Sequence, residues 1–109
     1  MDFEKYQKFT RTTAVYPDQG KNLIYPTLGL VGEAGEVAEK VKKIIRDQGG
    51  KISEEHRQEL IKELGDVLYY IATAAFELDS DLKTVAEKNV AKLSSRLERG
   101  VVHGDGDNR

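Results

Sequence analysis

The chain has 109 residues, of which 33% are charged, with a formal net charge of -2 and a sequence pI near 5.7. This length suits one domain with a modest core, and the acidic balance argues against non-specific nucleic-acid binding, which depends on a basic field. The absence of cysteine excludes disulfides and thiolate metal sites. No apolar run is long enough to cross a membrane, and the charged N terminus does not resemble a signal peptide, so we expect a soluble cytoplasmic protein.

The first predicted helix covers residues 2 to 14. Turn-forming residues at 16 to 20 end it, and a loop is expected to continue to about Pro26. The loop aromatics Tyr16 and Tyr25 suit either stacking on a base or packing within the loop.

A second helix is predicted from Thr27, as its N-cap, to Gln48, where two glycines end it. Gly29, Gly32 and Gly35 lie inside this helix, where each costs about 1 kcal/mol relative to alanine. Three such residues suggest that another helix or a ligand approaches closely.

Two more helices follow, one after the capping residue Ser53 to about Leu78 and one from Ser80 or Asp81 to Arg99. The apolar face of the last helix is expected inside the protein and consists of Leu82, Ala86, Val90, Leu93 and Leu97. Four amphipathic helices without a strand pattern predict an all-α four-helix bundle over residues 1–100. The glycine-rich tail, residues 101–109, is expected either to be disordered or to fold over a neighbour, and the modest core favours an oligomer.

Two acidic motifs lie in segments that match at an offset of thirty residues, Glu33-Ala-Gly-Glu36 and Glu63-Leu-Gly-Asp66. The apolar residues around them also match, so both helices present the same face. The two apolar stripes are Leu30, Ala34, Val37, Val41 and Ile44 on one helix, and Leu60, Leu64, Val67, Ile71 and Ala74 on the other. Packing these stripes together would bring four carboxylates to one place.

Such a cluster indicates a bound cation, because like charges about 4 Å apart repel by about 4 kcal/mol at an effective dielectric constant near 20. The alternative is that the acids are solvated surface residues. Four carboxylates without histidine or cysteine favour Mg²⁺, or Mn²⁺, over zinc.

On the last helix, Asn89 and Lys92 occupy the same position relative to the apolar face as the two acids do on each of the earlier helices. Arg96 lies one turn further along. Magnesium facing such a basic edge suits a phosphate-chain substrate and phosphoryl chemistry. There is no glycine-rich loop followed by Gly-Lys-Ser or Gly-Lys-Thr, which excludes a P-loop NTPase.

Glu33-x-x-Glu36, Glu63-x-x-Asp66 and Asn89-x-x-Lys92-x-x-x-Arg96 together resemble the MazG-like all-α nucleoside triphosphate pyrophosphohydrolases. The resemblance implies hydrolysis of a (d)NTP to the monophosphate and pyrophosphate. It also implies Mg²⁺ at the four acids, phosphate contacts from Lys92 and Arg96, Asn89 near the metal or sugar, and a homodimer or homotetramer with sites near subunit contacts.

Within the same superfamily, the all-α dUTPases and dCTPases and the phosphoribosyl-ATP pyrophosphohydrolases remain alternatives. The base is expected to be recognised by aromatic residues among Phe3, Tyr6, Tyr25 and Tyr70. An alternative of another class is a non-enzymatic helical assembly module whose acids form a solvated face.

Overall fold

The computed structural model describes residues 1–109 and contains four α-helices and no strand, which confirms the all-α prediction. The helices are α1 (Phe3–Thr13), α2 (Ile24–Gln48), α3 (Glu54–Glu77) and α4 (Leu82–Arg99). None of them combines the length and the apolar composition that crossing a bilayer requires.

The ends of most helices are set by local capping residues that the sequence predicted. Ser53 and Asp81 each accept a backbone N–H of the first turn of α3 and α4, at 3.1 and 2.8 Å. Gly49 and Gly100 follow α2 and α4 in the left-handed region, with φ of 62° and 70°, which glycine adopts without steric cost.

The prediction that Thr27 caps α2 is wrong. The helix begins at Ile24, and the side chain of Asn22 accepts the N–H of Tyr25 at 3.0 Å. Pro26 therefore lies within the first helical turn, where its missing N–H would have had no intrahelical partner. The polar residue just before the helix, and not the threonine after the proline, marks its start.

The antiparallel pair of α2 and α3, joined by the short connection at residues 49–53, carries most of the helix packing. Gly29 lies against Tyr70 so closely that a Cβ at position 29 would be 2.3 Å from the ring. Gly32 and Gly35 have open space beside them. The close approach expected for three glycines is thus found only at Gly29.

The buried centre of the chain lies where α1 and the first turn of α4 meet the C-terminal half of α3. Gln7 joins the three helices, because its amide donates to the Ala72 carbonyl at 3.0 Å and accepts the Leu82 N–H at 3.1 Å. The buried residues in this region are Thr10, Ala72, Thr73, Ala75 and Leu82. Helix α4 contacts α1 and α3 but not α2.

The expectation that the whole apolar face of α4 is inside is wrong for its second half. Leu82 is buried and Ala86 half-buried, but Val90, Leu93 and Leu97 are 63%, 45% and 72% exposed. The chain itself supplies no helix to cover these three side chains, because α2 does not reach α4.

The tail, residues 101–109, folds back on α4. The guanidinium of Arg109 donates to the carbonyls of Val101 and Val102 at 2.9 and 2.6 Å, which closes the tail on itself. Asp107 then lies against α4, where it contacts Lys92 and Arg96. The tail thus contacts helix α4 of its own chain.

Candidate metal centre and nucleotide site

Three of the four predicted carboxylates meet between α2 and α3. Glu33, Glu63 and Asp66 each offer an oxygen, and these three oxygens all lie within 4.8 Å of one another. Because α2 and α3 run antiparallel, residue 33 lies opposite residues 63 and 66. The predicted apolar stripes pack only in part, since Ala34, Val41 and Leu64 are exposed. Because the two acidic motifs occupy matching positions on their helices, three of the four acids form a cluster.

The environment of Glu33 disfavours its charged form. Desolvation raises the pKa of this carboxyl above its ordinary value, and the negative charges of Asp66, Glu63 and Glu36 add to the effect. The cluster thus carries unfavourable electrostatic energy in the absence of a cation.

Glu36 does not join the group of three, although its charge acts on Glu33. Lys40, one turn further along α2, is a site residue that the sequence reasoning missed. Its Nζ lies 3.9 Å from a carboxylate oxygen of Glu63 and 3.9 Å from one of Glu59. The spacing of four residues from Glu36 was the available clue, because it places Lys40 on the same helical face.

The donor set fits a hard divalent cation. All three groups are carboxylates, the ligands that Mg²⁺ takes at about 2.1 Å, so two oxygens on one ion lie at most about 4.2 Å apart. The observed spread of up to 4.8 Å requires these partly exposed side chains to close by about half an ångström around an ion of that size. Glu33, Glu63 and Asp66 are therefore the residues that could hold a metal.

The predicted basic residues lie elsewhere in the isolated chain. The Nζ of Lys92 pairs with Asp107 of the tail at 2.7 Å, and the guanidinium of the buried Arg96 pairs with the same carboxylate at 3.2 Å. Asn89 is exposed on the same helix. Neither cation pairs with Glu33, Glu63 or Asp66, and no residue of α4 lines the cavity beside these acids.

Two adjoining cavities lie beside the carboxylates. The outer one, of about 340 Å³, is lined by Thr13, Glu33, Asp66, Tyr69 and Tyr70. The inner one, of about 210 Å³, shares three of these residues and is lined in addition by Ala14, Val15, Tyr16, Tyr25 and Thr73. Aromatic walls next to acidic ligands are what a metal-bound nucleotide would need.

The residues predicted for a base pocket separate into two places. Tyr25 and Tyr70 line the inner cavity, where Tyr25 stacks on Tyr16 with ring centroids 4.8 Å apart. Tyr6 and Phe3 line a different cavity near the N terminus. The structure thus groups Tyr16, Tyr25 and Tyr70 and leaves Tyr6 and Phe3 apart from them.

The sequence of the chain is similar to known proteins. The family model of the MazG nucleotide pyrophosphohydrolase domain matches residues 24–101, a range that includes both acidic motifs and the basic residues of α4. The chain is similar to Gene 37 protein of Mycobacterium phage L5, with 51% identity over 114 residues that cover all of both proteins. No solved structure matches.

Proposed function

The chain belongs to the MazG nucleotide pyrophosphohydrolase family, and we propose that it hydrolyses the anhydride bond between the α and β phosphates of a (deoxy)nucleoside triphosphate. The products are then a nucleoside monophosphate and pyrophosphate, a reaction that serves control of the nucleotide pool. The observation that carries this proposal is the meeting of Glu33, Glu63 and Asp66 at one point within the matched residues.

In this proposal Glu33, Glu63 and Asp66 hold Mg²⁺, with Mn²⁺ as a substitute, and Glu36 is the fourth acid of the site. When bound, the ion neutralises charge on the phosphate chain and makes phosphorus more electrophilic. Lys40 balances part of the carboxylate charge, because its ammonium lies beside Glu63.

We assign Glu33 to orient the attacking water and accept its proton. Glu33 lines the outer cavity together with Asp66, so its carboxylate borders the space that substrate and water would occupy. A carboxylate has two oxygens, so one can face the cation while the other accepts a hydrogen bond from water.

Lys92, Arg96 and Asn89 contact the phosphates and sugar in this proposal. In the single chain, Lys92 and Arg96 pair with Asp107 of the tail and not with the carboxylate cluster. A second copy of the chain would supply the missing contact. The proposed assembly is a homodimer or homotetramer, as the family resemblance implies.

The exposed apolar surface supports this assembly. Only eight of the 109 residues are buried, and the radius of gyration is 16.7 Å, where a compact domain of this length has about 13 Å. Leu28, Val31 and Ile45 of α2 are each more than 60% exposed. Together with the exposed half of α4, they offer surface that a second copy would cover.

Purified protein assayed for pyrophosphate release with Mg²⁺ and a panel of triphosphates tests the proposal. The panel should include dUTP, dCTP and phosphoribosyl-ATP, since a strong preference for one of them would identify the alternative enzyme classes. If no member yields pyrophosphate, the assembly module without enzymatic activity becomes the better description.

A further inference from the structure

The border between the two cavities is formed by a pair of hydroxyl groups on different helices. The hydroxyls of Thr13, at the end of α1, and Tyr69, on α3, lie 2.8 Å apart and hydrogen-bond to each other. Both residues line the outer cavity with the carboxylates and also the inner cavity with the aromatic rings. The pair therefore lies between the carboxylates of the outer cavity and the aromatic rings of the inner one.

Neighbouring contacts hold this border in position. The Tyr69 ring lies edge-on to Tyr70 with centroids 5.6 Å apart, and its backbone carbonyl accepts the Thr73 hydroxyl at 3.0 Å. Thr73 also accepts a guanidinium N–H of Arg11 at 3.0 Å, which joins α1 to α3 beside the pair. The two hydroxyls thus project from a fixed part of the fold.

The loop that contributes Tyr16 and Tyr25 to the inner cavity is also held by hydrogen bonds. The carboxylate of Glu77 accepts the backbone N–H groups of Gly20 and Asn22 at 2.9 and 2.7 Å, which fastens the segment between Tyr16 and Tyr25 to the end of α3. A preformed cavity of this kind lowers the ordering cost of binding a ligand.

Building on the proposed function, we propose that the Thr13–Tyr69 pair positions the sugar of the nucleotide by hydrogen-bonding to a sugar hydroxyl. Two hydroxyls that bond to each other use one proton, which leaves one donor and several acceptor lone pairs for a third hydroxyl. The base then lies among Tyr16, Tyr25 and Tyr70, and the phosphates face Glu33 and Asp66. Tyr69 is a specificity residue in this arrangement, since its hydroxyl does not touch the reacting phosphorus.

The test removes each hydroxyl from the protein and from the substrate in turn. Tyr69→Phe and Thr13→Val are compared with wild type on a deoxynucleoside triphosphate, its ribo form and its 2′,3′-dideoxy form. Wild type should lose about 5- to 10-fold in kcat/KM when the contacted sugar hydroxyl is absent, the value of one hydrogen bond. Tyr69→Phe should lose a similar factor on the normal substrate and show little further loss on the analogue.

Thr12→Val is the matched control, because the Thr12 hydroxyl bonds only to the carbonyl of Phe9 on the exposed side of α1. It should keep the wild-type discrimination between the sugars. If Tyr69→Phe and Thr13→Val also keep it, or change only the preference between bases, the sugar assignment is wrong while the proposed function stands. If wild type hydrolyses none of the triphosphates, the proposed function fails, and the sugar assignment fails with it.

A separate observation concerns the tail. Asp107 places its carboxylate on both Lys92 and Arg96, at 2.7 and 3.2 Å, which are the two cations assigned to the phosphates. Arg99 reinforces this arrangement by donating to the backbone carbonyl of Arg109. A carboxylate on two cations occupies the same contacts that a phosphate oxygen would take.

We infer that the tail is an autoinhibitory contact in which Asp107 competes with the phosphate chain for Lys92 and Arg96. This inference also rests on the proposed function. Substrate must displace Asp107, so the apparent affinity for triphosphate is reduced by the fraction of chains in which the tail is bound.

Asp107→Asn tests the competition, and Asp105→Asn is its control, because Asp105 is an exposed acid of the same tail outside the ion pairs. Asp107→Asn should lower KM by about 2- to 5-fold with kcat unchanged, because an ion pair of an exposed carboxylate contributes up to about 1 kcal/mol. Calorimetry with inorganic pyrophosphate gives a readout without turnover and should show tighter binding by a similar factor. Unchanged or weaker pyrophosphate binding in Asp107→Asn would overturn the autoinhibitory role, whatever the substrate proves to be.

Discussion

Glu63 links the stability of the chain to its chemistry, because it shares a small space with Glu33 and Asp66. Glu63→Gln removes one of the charges that raise the pKa of Glu33. We expect activity to collapse, while the melting temperature of the metal-free protein holds or rises. Mg²⁺ should raise the melting temperature of wild type, since a ligand at one hundred times its Kd adds about 2.7 kcal/mol, and should raise that of the variant much less.

Glu59→Gln is the matched control for this experiment. Glu59 lies at the same 3.9 Å from Lys40 as Glu63 does, but it is outside the group of three acids. Thermal melts of the three proteins, with and without Mg²⁺ at matched ionic strength, separate a metal ligand from a solvated acidic face. Equal Mg²⁺ shifts in all three would mean that Glu63 is not a ligand.

Lys92 is expected to act as a point charge on the phosphate chain. Lys92→Ala should reduce kcat/KM by about 10- to 100-fold, the usual effect of losing one charged hydrogen bond, without unfolding the helices. Circular dichroism and steady-state kinetics check both parts, and Lys88→Ala on the exposed surface of the same helix is the control. If Lys92→Ala behaves like Lys88→Ala, the proposed basic edge is wrong.

At the scale of the elements, the close contact of α2 with α3 depends on Gly29. A Cβ there would lie 2.3 Å from the Tyr70 ring, so Gly29→Ala must displace the ring or part the helices. We expect a loss of about 1 to 3 kcal/mol in unfolding free energy, as for other overpacked sites, together with weaker nucleotide turnover because Tyr70 lines both cavities.

Gly32→Ala in the same helix has open space beside it and should instead gain up to about 1 kcal/mol from helix propensity. Denaturant unfolding of the two variants measures the difference. Equal stabilities would show that Tyr70 does not lie as close to Gly29 as described.

The sequence predicted those elements whose ends are determined locally. Ser53, Asp81, Gly49 and Gly100 act within one helical turn, so their capping roles could be read without knowing the fold. The start of α2 was missed because Pro26 was taken as the end of a loop, although proline is well tolerated in a first turn.

Only part of the candidate site could likewise be predicted from the sequence. The thirty-residue offset between the acidic motifs predicted their shared face, and α2 and α3 then meet through a short connection. The place of Lys92 and Arg96 depends on how α4 packs against distant elements, which helical phase alone does not determine. No sequence pattern predicted that Lys92 and Arg96 pair with Asp107 of the tail.

For the whole molecule, the exposed half of α4 and the exposed apolar residues of α2 form the surface that the proposed second copy would cover. Sedimentation velocity at assay concentration should show a dimer or tetramer, because burying such surface on a second copy is strongly favourable. The control is a dilution series assayed for activity in parallel. A fully active monomer would remove the second copy from the proposed site.

We propose that the carboxylates of α2 and α3 direct hydrolysis to the bond between the α and β phosphates. Phosphorus NMR of a reaction with Mg²⁺ and the preferred triphosphate identifies the bond directly. We expect nucleoside monophosphate and pyrophosphate to appear together from the first time point, and no product to appear when the metal is chelated. Orthophosphate and nucleoside diphosphate as the first products would contradict it.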